Sequence, residues 1–158
     1  IDGYRLVSRS IRILESLTGM PVKSFRAPNL VLPRYYVKVL AHMGIEIDSS
    51  IATYKPPFIR KPYTEANVLR VPVSLTSSIL RLPLRIVTRI LKLMKTRVLV
   101  LFVHPWEFID MRGRVSRVDC TFSTGAEALR KLHDILVYLK SRGYRFVTMS
   151  ELLELLRL

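Results

Sequence analysis

Short apolar runs and segments of helical period take turns along this chain, and that alternation narrows the folds open to it more than any other feature. Val7, Ile11, Leu14 and Leu17 recur at helical spacing over 6–18, and Gly19 offers a stop. "PVKSFRAPN" then reads as a strand ending at Arg26. Pro33 suits a first helical position, Val37 and Leu40 supply an apolar stripe, and Gly44 closes that helix. "IEID" is the next strand and closes on Asp48, a loop carrying Pro and Tyr fills 52–67, and "VLRVPVS" is a further strand. Residues 80–96 read as a basic amphipathic helix, with Arg85, Arg89 and Lys92 on one face and Leu84, Val87, Leu91 and Met94 on the other. A strand over 97–103 runs into His104, and a loop over 108–122 follows. The next helix carries Leu129, Leu132, Leu136 and Leu139 on one face, a Thr124/Glu127 capping box at its start and Gly143 past its end. "YRFVT" is the last strand, and Thr148 with Glu151 caps the closing helix.

Strand and helix in alternation predict an α/β fold with a parallel sheet and right-handed crossovers. A length of 158 residues suits one domain, 1–158, with a sizeable core, and no domain-splitting linker or internal repeat interrupts it. In open sheets and barrels of this build, chemistry sits at the carboxyl ends of the strands. Arg26, Asp48 and His104 occupy such ends here.

The chain carries 26 Lys+Arg against 12 Asp+Glu, a net charge of +14. That balance favours polyanions through non-specific electrostatics, although the basic residues are spread along the chain as on an ordinary solvated surface. The lone Cys120 excludes an internal disulfide and a multi-cysteine zinc site. No apolar stretch reaches the roughly 18 residues that a membrane span needs, and "IDGYRLVSRS" is not a signal peptide. The compartment is left undecided, with the cytoplasm as the default. A start at Ile1 rather than Met suggests a true N-terminus elsewhere.

In "LVLFVHPWEF", a run of apolar residues delivers His104 straight into Pro105, Trp106 and Glu107. An imidazole titrates near about pH 6.5, so a histidine here can serve as acid or base, or can simply pack through a hydrogen bond. Pro105 biases His104 toward the extended region, and Trp106 offers a flat apolar face. Arg26 keeps its proton, so it can hold an anion, donate hydrogen bonds or stand as a surface arginine. Asp48 can orient the histidine or cap the turn that "DSS" suggests. His42 and His133 fall inside helices, no two histidines share a metal-binding spacing, and no phosphate loop, dinucleotide fingerprint or nucleophile elbow is present.

"FRAPN" (25–29), "GIEIDSSI" (44–51), "LFVHPWEF" (101–108) and "LKSRGYRFVTMSELLE" (139–154) resemble, in this order, segments of the polysaccharide deacetylase family, the NodB-homology carbohydrate esterases. "LRVPVSLT" and its following helix resemble the connection before that family's final histidine, so the resemblance covers nearly the whole chain. It implies a partial, distorted (β/α) barrel lacking its first strands. It also implies hydrolysis of N- or O-acetyl groups on an acetylated carbohydrate, that is, of carbon–nitrogen (non-peptide) bonds in the amide case.

On the resemblance, Arg26 and Pro28 line the groove, and a backbone N–H near Asn29 helps form the oxyanion site. Leu101 and His104 match the motif whose histidine protonates the leaving amine, and Asp48 lies near the aspartate that supports it. Trp106 and Glu107 occur in one branch of the family without an assigned role. The complete domain uses zinc or another divalent metal to activate water. The paired aspartates, one the general base and one a metal ligand, and the paired histidines that complete the metal site belong, on the resemblance, to motifs upstream of residue 1. The chain is therefore expected to bind no metal and to be inactive alone, completed by a missing N-terminal segment or associating through exposed strand edges. Two other readings stay open: a hydrolase of non-sugar amides in the same superfamily, and an inactive basic protein that binds anionic membrane or nucleic acid through helix 80–96. No specific nucleic-acid partner is expected.

Overall fold

A computed structural model describes residues 3–55, 58–94, 96–116 and 118–157. The chain groups into two compact units, one formed by Ile1–Pro72 with Val147–Leu158 and the other by Val73–Phe146.

The first unit opens with α1 (Gly3–Thr18), followed by β1 (Ser24–Phe25), a 3-10 turn (Pro28–Leu30), α2 (Tyr36–His42), β2 (Ile47–Asp48), β3 (Tyr63–Glu65) and β4 (Val68–Arg70). Its sheet runs in the order β1-β2-β4-β3. β1, β2 and β4 are parallel, with Phe25 opposite Asp48 and Asp48 opposite Arg70. β2 is flanked on both sides, which is why Ile47 and Asp48 are both buried. β3 folds back antiparallel on β4, Glu65 opposite Val68, through a two-residue turn with Ala66 and Asn67 both at positive φ. The expected loop over 52–67 therefore contains a strand; Ala-Asn lacks the glycine that usually marks such a turn.

Val37, Leu40, Ile45, Ile47, Val68 and Val71 fill the core of this unit. The expected stripe of α1 is only half right. Val7 and Ile11 are half-buried, Leu14 and Leu17 are exposed, and no residue of the helix is fully buried. Its end is fixed by Gly19, at φ +67.

The second unit holds β5 (Leu75–Thr76), α3 (Ser77–Leu80), α4 (Leu84–Met94), β6 (Leu101–Phe102), a 3-10 turn (Pro105–Phe108), α5 (Val118–Thr121) and α6 (Ala126–Ser141). β5 and β6 pair in parallel, Leu75 opposite Leu101 and Thr76 opposite Phe102. Of the strand expected over "VLRVPVS" only Val68–Arg70 forms one, as β4, and β5 begins past that stretch, at Leu75. Pro72 lies between them and has no N–H to give a ladder. The helix expected over 80–96 starts later, as α4 at Leu84, because Leu80 ends α3 and Pro83 opens the next helix, with the Ile86 N–H donating to its carbonyl. Lys95, within that expected span, lies outside the described residues.

Leu75, Leu80, Val87, Leu91, Ile135 and Leu139 form the second core. The expected face of α6 holds in part: Leu139 is in this core and Leu132 and Leu136 are half-buried, but Leu129 is 56% exposed, and Ala128 and Ile135 are buried instead. The Thr124/Glu127 capping box does not form. Thr124 Oγ1 accepts from the Met111 N–H at 3.2 Å, and Glu127 pairs with Lys131 at 2.8 Å. The N-cap is Gly125, at φ +72, where a Cβ would stand 3.3 Å from the Asp110 nitrogen.

The last helix, α7 (Met149–Arg157), belongs to the first unit and packs on β2. Its capping box forms as read. Thr148 N–H donates to Glu151 Oε2 at 2.7 Å, and Glu151 N–H donates to Thr148 Oγ1 at 3.2 Å. "YRFVT" before it forms no strand among the described residues. No helix among those residues is long and apolar enough to cross a membrane.

Candidate active site

His104 leaves β6 in an extended conformation, φ −116° and ψ 143°, as the following proline requires. Pro105 opens the 3-10 turn at the position where a missing N–H costs nothing. That tight turn brings the side chain three residues on back to its start. The Glu107 N–H donates to the His104 carbonyl at 3.1 Å, and Glu107 Oε1 lies 2.8 Å from His104 Nδ1.

Glu107 is 1% exposed. A carboxylate so enclosed needs partners. Besides His104 it has Arg81, itself buried, whose Nε stands 3.9 Å from Oε2. Arg81 is anchored in turn, Nη1 donating to the Phe122 carbonyl at 2.7 Å and the Arg81 carbonyl accepting from Lys131 Nζ at 2.8 Å. The backbone of Glu107 is tied as well, its carbonyl accepting from the Gly125 N–H at 2.8 Å.

The imidazole is held on two further sides. Phe102 meets it edge-on at 4.6 Å between ring centroids, and Trp106 stacks at 5.6 Å with 28° between the planes. The Arg81 guanidinium lies 5.7 Å from the Trp106 centroid, so that indole is shared between a cation and the histidine. The His104 side chain is still 42% exposed. Among the described residues Nε2 has no hydrogen-bond partner. Leu101 anchors the base of this constellation by pairing with Leu75.

Arg26 and Asp48 stand at the ends of adjacent strands in the first unit. Arg26 Nε donates to the Ser49 carbonyl at 3.1 Å and Nη2 to Ser49 Oγ at 3.0 Å. Burial lowers the Arg26 pKa, and the Asp48 charge partly offsets this. With Ser24, Phe25, Ile47, Ser49 and Met149 it lines a cavity of about 220 Å³, smaller than the roughly 300–1,000 Å³ of a full ligand pocket. Pro28 and Asn29 form the exposed 3-10 turn after it, Asn29 in the left-handed region at φ 56. The Leu30 and Val31 N–H groups there bond within the turn, to the Ala27 and Pro28 carbonyls, both at 3.2 Å.

Asp48 has its hydrogen bonds inside its own unit. Oδ2 accepts from Arg70 Nε at 2.8 Å and from the Ser50 N–H at 3.1 Å, while Ser50 Oγ donates to Oδ1. Of the two roles open to it in the sequence, these bonds fill the turn cap. They add an ion pair that sequence reasoning missed. Arg70 reaches on to Glu65 at 2.7 Å, and Glu65 to Arg34 at 2.8 Å; the Arg34 hydrogen bond, first among several causes, lowers the Glu65 pKa.

Glu107 as the partner of His104, and Arg81 behind Glu107, were the other omissions. The signal available was a proline directly after the histidine with a carboxylate three residues on, the spacing that one 3-10 turn closes. Among the described residues no group of three His, Cys, Asp or Glu side chains could hold a metal ion. No family model matches the chain, and no curated protein and no solved structure matches it.

Proposed function

We propose that this chain is the C-terminal part of a polysaccharide deacetylase domain of partial (β/α)-barrel build, and that His104 protonates the leaving amine when an N-acetyl group is hydrolysed. One observation carries the reading. A half-exposed imidazole stands at a strand exit, fixed at Nδ1 by the buried Glu107 and open at Nε2. An amide resists hydrolysis because amide nitrogen leaves poorly until it is protonated, and a positioned acid supplies that proton as the C–N bond breaks. The ordered resemblance of "FRAPN", "GIEIDSSI", "LFVHPWEF" and "LKSRGYRFVTMSELLE" to deacetylase segments supports the same assignment.

The half of the reaction that activates water needs groups other than those described here, and in the reading they come from the segment carrying the paired aspartates and histidines. Arg26 then belongs to the substrate groove, where its guanidinium orients bound groups and takes no part in proton transfer.

The test uses protein isolated from its source, supplied with zinc, and N-acetylated chito-oligosaccharide as probe. Acetate should be released, and His104→Ala should lower turnover by about 10²–10⁴-fold. No release from any acetylated probe, or full turnover in His104→Ala, overturns the reading. Release from a small non-sugar amide alone moves the site to the related amide hydrolases.

A second reading has its own observation. On α4, Arg85, Arg89 and Lys92 are exposed beside the exposed Ile86 and Leu93, the composition of a helix that rests on an anionic membrane surface.

A further inference from the structure

We infer that Glu107 is the positioning residue of His104, holding the imidazole in the tautomer protonated at Nδ1 and so presenting Nε2 as the working nitrogen. The inference follows from geometry. An ionised carboxylate can only accept, so a 2.8 Å contact between Glu107 Oε1 and Nδ1 places the shared proton on the ring. The carboxylate cannot turn away, because its backbone N–H and carbonyl are both tied, to His104 and Gly125, and its side chain is enclosed. Arg81, beside the second oxygen at 3.9 Å, compensates the buried charge and leaves Oε1 for the histidine. The stacked Trp106 and edge-on Phe102 restrict ring rotation, so the hydrogen bond selects one orientation.

The catalytic meaning of this device rests on the reading of His104 as the leaving-group acid. The proton balance is then simple. The doubly protonated ring gives its Nε2 proton to the amine nitrogen as the C–N bond breaks, and the ring returns to the neutral Nδ1–H form that Glu107 holds. Asp48, the carboxylate that the sequence offered for this task, is bonded to Arg70 and Ser50.

The test needs the full protein as its source makes it, labelled with ¹⁵N, and a long-range ¹H–¹⁵N spectrum of His104 at a pH where the ring is neutral. The neutral ring should show Nδ1 as the protonated nitrogen. A neutral ring protonated at Nε2 overturns the inference on the unaltered chain, with no variant required. Glu107→Gln, nearly isosteric, should mix the two tautomers, and a ring still fully Nδ1–H in that variant also overturns it. In the source protein, Glu107→Gln should lower kcat with KM unchanged. A shifted tautomer with kcat unchanged leaves the positioning intact and sinks the acid reading instead, so the two failures are distinguishable.

Discussion

At the scale of single residues, two carboxylates among the described residues are fully enclosed, and each is matched to an arginine that is also buried: Asp48 to Arg70 and Glu107 to Arg81. Burying both members of such a pair is close to break-even, but removing one leaves an uncompensated charge in a low-dielectric site. Asp48→Ala should therefore lower stability by about 3–5 kcal/mol in urea denaturation, toward the lower end because Glu65 still reaches Arg70. Arg34→Ala, at the exposed end of the same network, should leave stability close to that of the parent, because solvent screens an exposed pair. Equal losses from the two variants would show that burial of the Asp48–Arg70 pair does not set its worth.

At the scale of elements, α6 shows a periodicity read correctly but with one edge misplaced. Leu139 is buried and Leu132 and Leu136 are half-buried as the leucine stripe implied, but the core also takes Ile135 and leaves Leu129 out. Ile135 is 0% exposed and Leu129 is 56% exposed. Ile135→Ala should cost about 2–5 kcal/mol through lost burial and a residual cavity, whereas Leu129→Ala should fall within about 0.5 kcal/mol of the parent. Matched urea curves decide it, and the reverse ranking would restore the face read from the sequence. At its start the cap is Gly125, not Thr124, and a side chain there would be strained by the positive φ and by Asp110, whose nitrogen would stand 3.3 Å from the added Cβ. At α7 the Thr148/Glu151 box forms as expected, since both partners lie within one turn and nothing distant competes for them.

At the scale of the whole molecule, the net charge of +14 sets what the surface attracts before any site is considered. The α4 row gives that charge an address. If α4 rests on an anionic bilayer, each of Arg85, Arg89 and Lys92 contributes about 1 kcal/mol near the surface. Replacing all three with glutamate should then weaken binding to phosphatidylserine vesicles by about a hundredfold or more. Binding of the parent should also fall steeply with added salt. Vesicle binding that is indifferent to the triple variant removes this reading and leaves α4 as a cover over the Val87 and Leu91 core.

What the sequence determined by itself was local. The helical spans, the glycine stops at 19, 44 and 143, the extended His104 ahead of Pro105, and the α7 capping box all depend on side-chain period or backbone restriction within about one turn. Prolines were legible in kind but not in consequence: the strand before Pro72 ends at Arg70, and the helix after Pro83 starts at Leu84, each shorter than periodicity alone had run it. The tertiary structure decided the partners. Arg70 lies 22 residues from Asp48, and Lys131 lies 50 from the Arg81 carbonyl it holds, so no local pattern announces either contact. Even Glu107, only three residues from His104, becomes its partner because a 3-10 turn is stabilised there by Gly125 and the enclosure around Arg81. Charge compensation in a buried site follows from which distant groups packing brings together, and that is settled only when the chain has folded.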